Sequence, residues 1–198
     1  MKERLLTAAD LARLPEWLPS GDVRYELDDG RLVVLPPLTW DHSTIQMKIL
    51  RALFKQGEDR GFGKAMLSVG IVLRRDPDRV VGCDALFITE DQYPKKVSAE
   101  DYLETIPSIV VEIRDRYETA ADLESKAREY LSAGGNEIWV LDGIARNARI
   151  FTSAGVREFG VADTLVTRLL PGFALPVADL LIDADDIPPK HFLAGASD

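Results

Sequence analysis

Residues 109–142 have the sequence IVVEIRDRYETAADLESKAREYLSAGGNEIWVLD. Two apolar runs, Ile109–Ile113 and Glu137–Asp142, are typical of buried strands, and between them apolar residues recur at the spacing of a helix. The Gly134-Gly135 pair favours the positive φ value at which helices end. A strand–helix–strand unit places its helix against a parallel pair of strands. This stretch therefore predicts an α/β fold.

The predicted helix carries one lysine among its apolar residues. Lys126 follows Leu123 by three residues and precedes Tyr130 by four, so that all three lie on one helix face. The lysine is therefore expected to point towards the sheet. Two other interpretations are open, because Lys126 can also extend to solvent along an apolar surface or pair with Asp122 one turn earlier.

Two apolar runs each carry a carboxylate. Glu112 lies within Ile109–Ile113, and Asp84 lies within a second predicted strand, Val80–Ile88. Acidic residues inside such runs are uncommon unless they are paired. Two strand carboxylates and an inward lysine are the groups of a metal-dependent site that cleaves phosphodiesters. The alternative is that backbone donors at strand edges satisfy both carboxylates.

Hairpin patterns occur towards both ends of the chain. Residues 24–27 and 31–35 flank Asp29-Gly30, a pair that favours the positive φ values of a tight turn. Residues 148–152 and 156–159 predict a late hairpin. We therefore expect a central mixed sheet flanked by helices, with an added hairpin at each end. One domain is expected over residues 1–198, with a peripheral tail from about residue 186.

A second amphipathic helix is predicted from Asp41, after the Pro36-Pro37 pair ends the preceding strand. Residues 64–74 predict one or two short strands. Residues 89–105 predict a loop, with a short helix inside it as the alternative. The apolar face of the helix from Asp41 is expected to contain Ile45, Ile49, Leu50, Leu53 and Phe54.

The overall composition limits the classes of function. A net charge of −9 argues against a simple electrostatic nucleic-acid binder, but cations bound by carboxylates can change the local field of a nuclease site. The single cysteine, Cys83, cannot form an internal disulfide, and we interpret it as a small buried apolar residue. No apolar run approaches the roughly 20 residues of a membrane span, and no secretory signal is recognisable. A cytoplasmic location is expected.

Blocks of residues that resemble a known family follow one another along the chain: Tyr25–Leu32, His42, Asp84, Pro107–Ile113, Asp122–Gly134, Glu137–Asp142 and Leu170–Phe173. Together they resemble the Uma2 family, also called DUF820, a branch of the PD-(D/E)XK nuclease-like superfamily. The resemblance extends from about residue 25 to about residue 181. It implies a restriction-endonuclease-like core.

The resemblance also implies a metal site. Asp84 and Glu112 are the expected catalytic metal ligands, with the Ile113 carbonyl as a further ligand. Mg²⁺, or Mn²⁺ in its place, is the expected cofactor because it prefers carboxylate and water oxygens. Lys126 is expected to orient or help deprotonate the attacking water and to balance charge on the phosphate.

Other polar and aromatic residues have two interpretations each. Glu26 is a candidate catalytic residue that ligates a second metal or holds a metal-bound water, or else an exposed strand residue. His42 is a candidate phosphate contact or proton relay, or else a residue of the helix start. Tyr130 is a candidate substrate contact, or else core packing with its hydroxyl near the site. Trp40 and Trp139 are interpreted as packing, since no aromatic array for stacking bases is evident.

Two positions depart from the family pattern. Cys83 replaces the proline that precedes the motif aspartate, and Arg114 occupies the superfamily's lysine position two residues after the acid. An arginine cannot exchange a proton near neutral pH. In the Uma2 branch the lysine is thought to lie on the following helix, where Lys126 stands.

The expected function is a divalent-metal-dependent endonuclease that hydrolyses phosphodiester bonds of nucleic acid. DNA is the favoured substrate, although no residue pattern distinguishes DNA from RNA. The alternative is a catalytically degraded nuclease fold that acts as an interaction or regulatory module, which the acidic charge, Cys83 and the altered residues 114–117 motivate. The expected partners are nucleic acid and a second copy of the chain in a homodimer, and no membrane.

Overall fold

The computed structural model describes residues 4–15, 17–19, 21–93, 97–182 and 186. The helices are α1 (Ala8–Leu11), α2 (Trp40–Leu53), α3 (Ala120–Ser132) and α4 (Val177–Leu180), with a π-helical turn at Phe54–Glu58 and a 3₁₀ turn at Glu90–Gln92. The strands are β1 (Trp17–Leu18), β2 (Gly21–Asp22), β3 (Arg24–Asp28), β4 (Arg31–Leu35), β5 (Gly63–Leu67), β6 (Gly70–Arg74), β7 (Arg79–Gly82), β8 (Ala85–Thr89), β9 (Ile109–Ile113), β10 (Glu137–Asp142), β11 (Asn147–Thr152), β12 (Gly155–Gly160), β13 (Thr164–Val166) and β14 (Ala174–Pro176).

The central sheet has six strands in the order β12-β11-β10-β9-β8-β5. Strands β9 and β10 are parallel, and the other neighbouring strands are antiparallel. The predicted strand–helix–strand unit is therefore confirmed, with β9 and β10 side by side and α3 between them in sequence. The sheet is mixed, as predicted.

The two longest helices cover opposite faces of this sheet. On one face, Ile49 and Leu53 of α2 belong to the same buried cluster as Trp139 of β10. On the other face, Leu123 and Tyr130 of α3 belong to a second cluster that includes other residues of the same strands. Successive residues of a strand point to opposite faces, and each apolar strand can thus supply both clusters.

A second sheet of four strands, in the order β4-β3-β7-β6, contains the predicted N-terminal hairpin. Its turn residues Asp29 and Gly30 have φ values of 49° and 76°, as the Asp-Gly pair predicted. The late hairpin β11–β12 is also confirmed, but it extends the central sheet rather than standing apart.

The predicted strand Val80–Ile88 is two strands that belong to different sheets. β7 ends at Gly82 in the four-stranded sheet, and β8 begins at Ala85 in the central sheet. Only Cys83 and Asp84 connect them. The run contains one glycine, Gly82, at the end of β7 and no proline. A single glycine in a strand pattern suggests a bulge rather than a change of sheet. As a result, Asp84 lies where the two sheets meet.

The orientation of α2 differs from the prediction. Ile45, Ile49 and Leu53 are buried as expected, but Phe54 is 45% exposed. The buried face instead includes the polar residues His42 and Gln46. The predicted face was therefore wrong in part, because these two polar side chains contact Asp84 at the start of β8.

The two tryptophans interpreted as packing differ in exposure. Trp139 is fully buried against Phe173, with 5.4 Å between the ring centroids. Trp40, the first residue of α2, is 57% exposed. The packing interpretation is confirmed for Trp139 and wrong for Trp40, since the first turn of α2 projects Trp40 outwards.

No helix within the described residues is long and apolar enough to cross a membrane. The predicted tail from about residue 186 lies outside the described residues, apart from Asp186 itself. The expectation of a single domain over residues 1–198 stays a prediction.

The N-terminal cap of α3 gives a stability prediction. Thr119 and Asp122 form a capping box, in which the Thr119 hydroxyl accepts from the Asp122 amide and the Asp122 carboxylate accepts from the Thr119 amide. Thr119→Ala should lower the free energy of unfolding by about 1 kcal/mol, because it leaves an amide at the helix start unsatisfied. Urea denaturation measures this as a lower midpoint at unchanged slope.

Thr119→Ser is the matched control, since it keeps the hydroxyl and should unfold close to the parent. If the alanine variant unfolds at the same urea concentration as the parent, the cap does not stabilise α3.

Candidate active site

A cavity of about 540 Å³ lies where the two sheets and α3 meet. Five predicted site residues line it, each from a different element or junction: Glu26 from β3, His42 from α2, Asp84 from the β7–β8 junction, Glu112 from β9 and Lys126 from α3. The fold therefore brings together residues that are up to 100 positions apart in sequence.

Asp84 and Glu112 lie on the same side of the central sheet. β8 and β9 are antiparallel neighbours, with Ala85 opposite Val111. The next opposing pair is Asp84 and Glu112, and opposing residues of an antiparallel pair project to one face. Both carboxylates consequently reach the same cavity.

Lys126 points into the cavity from α3. Its Nζ lies 2.8 Å from Glu112 Oε2 and 3.3 Å from Glu26 Oε1, and its side chain is 16% exposed. The Asp122 carboxylate accepts from Thr119 instead. Burial alone would lower the pKa of Lys126, but the charges of Glu112 and Glu26 outweigh it and raise the pKa. The ammonium group therefore stays charged at neutral pH.

Glu112 is a buried carboxylate with a donor on each oxygen. Its Oε2 accepts from Lys126, and its Oε1 accepts from the Tyr130 hydroxyl at 2.7 Å. Burial raises the pKa of Glu112 to about 8, with the charge of Lys126 opposing this rise and that of Asp84 adding to it. One ammonium group thus does not fully compensate for the removal of this carboxylate from water.

Asp84 uses one oxygen for both of its side-chain contacts. Oδ2 accepts from the Ile113 amide at 2.7 Å and lies 3.3 Å from His42 Nε2. The alternative of satisfaction by backbone donors is therefore realised for one oxygen of Asp84. Oδ1 has no hydrogen bond from the described residues. It is the oxygen of this side chain that is left for a ligand.

His42 is buried beside Asp84. Its Nδ1 has no hydrogen-bond partner among the described residues. Burial alone would lower the pKa of His42, but the hydrogen bond and charge of Asp84 outweigh it and raise the pKa above its ordinary value. The helix start itself is capped by Thr39, so that His42 is free to contact the site.

Glu26 is a buried residue of the site rather than an exposed strand residue. Its Oε1 accepts from the Gly82 amide at 3.0 Å and from Lys126, and its Oε2 lies 3.6 Å from Arg79 Nη1. Glu26 therefore links the four-stranded sheet to α3 through Lys126.

Most of the chain matches a known family. A family model, Uma2, described as "Putative restriction endonuclease", matches residues 8–178. The chain belongs to the Uma2 family. The resemblance drawn from the sequence blocks is confirmed.

The fold comparison agrees with this membership. A crystal structure described as a "putative nuclease belonging to DUF820" from Anabaena variabilis is 16% identical, with a TM-score of 0.74 over 88% of this chain and 97% of that one. At this identity the likeness shows a shared fold. A comparison with the curated proteins found no match.

The structure distinguishes Lys126 of this Uma2 chain from Arg114, which holds the superfamily's lysine position. The guanidinium of Arg114 donates to Asp142 Oδ2 at 2.9 Å and to the Glu118 carbonyl at 3.0 Å. Lys126, not Arg114, is the cation in contact with Glu112.

Tyr130 lies behind Glu112 and is fully buried. Burial raises the pKa of its hydroxyl well above the ordinary value, so that the hydroxyl stays a donor to Glu112. This contact positions Glu112, whereas the predicted contact of Tyr130 with substrate stays a prediction. Cys83 is buried in the core beneath the site, as its interpretation as an apolar residue predicted.

Sequence reasoning missed two residues of the Uma2 site. Gln46 donates to the Asp84 carbonyl at 2.8 Å, and its position one turn after His42 on the buried face of α2 was a usable signal. Arg79 bridges Glu26 and Glu129, with 3.0 Å between Arg79 Nη2 and Glu129 Oε2. Its position at the start of a strand gave no comparable signal.

The donors in this cavity fit a hard divalent cation. Asp84 and Glu112 supply carboxylate oxygens to the cavity from the β7–β8 junction and β9, whereas Ile113, whose carbonyl was the predicted further ligand, does not line it. Mg²⁺ is commonly held by one or two carboxylates with water and substrate phosphates. No group of three histidine, cysteine, aspartate or glutamate side chains forms a ready metal cage among the residues that the structure describes. Oxygen donors of this kind suit Mg²⁺ or Mn²⁺ better than zinc, and the metal itself stays a prediction.

The His42–Asp84 pair gives a pH prediction. Because the folded pKa of His42 is raised above 6.5, the stabilisation from this pair is present below that pH and is lost as pH rises through the folded value. Asp84→Asn should lower the pKa of His42, since burial is then opposed only by the charge of Asp115. Histidine side-chain NMR in EDTA measures this shift.

The sequence contains two histidines, and a His191→Gln variant assigns the His42 signal. A His42 pKa that is unchanged by Asp84→Asn would show that Asp84 does not set the charge state of the histidine.

Proposed function

We propose that this Uma2 chain is a divalent-metal-dependent endonuclease that hydrolyses phosphodiester bonds of nucleic acid, with DNA as its substrate. The observation that carries the proposal is the contact of Lys126 with Glu112, beside Asp84, in one cavity. The family description as a restriction endonuclease supports DNA over RNA.

The charge balance of the cavity supports a metal cofactor. Glu26, Asp84 and Glu112 are all buried, and the nearest groups with a permanent positive charge are Lys126 and Arg79. Buried carboxylates with too few cations are costly, as the raised pKa of Glu112 reflects. A divalent cation among them would supply the missing positive charge.

Asp84, Glu112 and the Ile113 carbonyl are the proposed ligands of Mg²⁺ or Mn²⁺. When bound, the metal supplies Lewis-acid polarisation of the phosphate and a lowered pKa for water. Lys126, which Glu112 and Glu26 keep charged, is proposed to orient the attacking water and to donate to a phosphate oxygen. A charged ammonium group cannot accept a proton, which favours orientation over deprotonation.

The remaining residues support these groups. Glu26 accepts a hydrogen bond from Lys126 and is proposed to orient its ammonium group. Ligation of a second metal is the alternative role of Glu26. Tyr130 is proposed to fix the orientation of Glu112 through its hydroxyl. His42, whose pKa Asp84 raises, is proposed to contact a phosphate oxygen or relay a proton. The homodimer and the cytoplasmic location stay predictions.

Nicking of plasmid DNA in Mg²⁺, Mn²⁺ or EDTA tests the proposal. The parent should cleave only with metal, and Asp84→Asn and Glu112→Gln should abolish cleavage because each removes a ligand charge. Lys126→Met keeps the length of the side chain and should lower the rate by about 100-fold or more, the cost of losing one transition-state donor.

Lys64→Met is the matched control, because Lys64 is a half-exposed lysine that pairs with Glu58 outside the cavity. Circular dichroism should show every variant folded. Equal residual cleavage by Asp84→Asn and Glu112→Gln would point to a contaminant. Absence of cleavage by the parent, with no thermal stabilisation by millimolar Mg²⁺, would favour the non-catalytic alternative.

A further inference from the structure

A second cavity, of about 770 Å³, adjoins the candidate active site. The two cavities share Pro36, His42 and Tyr117 in their walls. A ligand that fills the second cavity would therefore reach the residues beside Asp84. Its own lining is chemically different from that of the active-site cavity.

The two cavities have opposite charge. The active-site cavity is lined by eight acidic residues and by three basic ones, Arg24, Arg79 and Lys126. The charged residues of the second cavity are Asp41, Arg114, Arg116 and Arg146, among which arginines predominate. On a chain with a net charge of −9, this local excess of arginine favours an anion.

Two of these arginines have no ion-pair partner among the described residues. Arg114 is neutralised by Asp142, but Arg116 and Arg146 are exposed and make no such contact. The guanidinium of Arg116 lies over the Tyr117 ring, 5.0 Å from its centroid. Two guanidinium groups are therefore available to phosphate oxygens.

Arg146 stands at a position that does not favour arginine. Its φ is 56°, in the left-handed region that glycine and asparagine adopt more readily. Asp142 holds this turn, since its Oδ1 accepts from the Ile144 and Ala145 amides while its Oδ2 binds Arg114. One buried carboxylate thus fixes both the loop of Arg146 and the neighbouring guanidinium.

Two exposed aromatic rings line the same cavity. Trp40 is 57% exposed and Tyr117 is 69% exposed. Exposed aromatic rings beside free arginines are the two elements of single-strand binding, in which bases stack on the rings and cations contact the backbone. The faces of bases in a duplex are covered by their neighbours and are not available to such rings.

We propose that the second cavity binds a single-stranded segment of nucleic acid next to the cleavage site. Arg116 and Arg146 contact its phosphates, and unstacked bases lie against Trp40 and Tyr117. This inference rests on the proposed nuclease function and narrows its substrate to nucleic acid with unpaired nucleotides near the cleaved bond.

Fluorescence anisotropy of a fluorescein-labelled oligothymidine in EDTA tests binding without cleavage. The parent should bind the single strand more tightly than a duplex of the same length. The double variant Arg116→Ala, Arg146→Ala should bind more weakly. For this variant, the slope of the logarithm of the binding constant against the logarithm of salt concentration should be shallower than that of the parent by about 1.4. Each of the two lost phosphate contacts removes about 0.7 from the slope.

The aromatic contact is tested separately at Trp40. Trp40→Ala should weaken binding about tenfold through lost stacking. Trp40 Nε1 also donates to the Asp186 carbonyl, so that Trp40→Phe, which removes this hydrogen bond and keeps a smaller aromatic ring, should bind more tightly than Trp40→Ala. Arg128→Ala is the charge control, because Arg128 pairs with Glu124 on the exposed face of α3.

The outcomes separate this inference from the nuclease proposal. In one outcome, the parent binds the single strand, the cavity variants bind it more weakly, and no substrate is cleaved with metal. This outcome supports the single-strand site and overturns the nuclease function. In the other outcome, DNA is cleaved with metal, but the parent does not bind the single strand, binds duplex more tightly, or binds no better than the variants. Any of these results overturns the single-strand site and leaves the nuclease function in place.

Discussion

The contact between the Lys126 ammonium group and the Glu112 carboxylate is the interaction on which the site depends. It spans 2.8 Å between α3 and β9, the helix and first strand of one strand–helix–strand unit. Leu123 and Tyr130 are buried on the same helix face as the lysine. Tyr130 also donates to Glu112 Oε1, the oxygen that Lys126 does not contact. The packing that stabilises the fold thus also fixes the charged pair.

A second constraint is the change of sheet between β7 and β8. Because the chain leaves the four-stranded sheet at Gly82 and enters the central sheet at Ala85, Asp84 lies at the junction. The Gly82 amide binds Glu26 and the Gly82 carbonyl accepts from Lys126 at 3.4 Å. Both sheets therefore contribute to one cavity. If the sheets lost contact, Glu26 would be separated from Asp84 and Glu112.

The sequence predicted the features that depend on local spacing. The inward position of Lys126 follows from the helical period, and the burial of Glu112 follows from an apolar strand. It did not predict the break at Cys83 and Asp84 or the rotation of α2 towards His42, because both depend on which strands pair across the fold. The exposure of Trp40 was not predicted either, because the sequence does not show which side of the first helical turn faces solvent.

The burial of Glu112 is also the most direct point at which to test the account. Carbon-13 NMR of labelled glutamate carboxyls, with Glu112→Gln to assign the signal, measures its pKa in EDTA and in Mg²⁺. The pKa of Glu112 is expected to be about 8 without metal, because burial outweighs the charge of Lys126, and much lower when Mg²⁺ is bound. A midpoint in the ordinary range of glutamate in EDTA, or one that Mg²⁺ leaves unchanged, would contradict it.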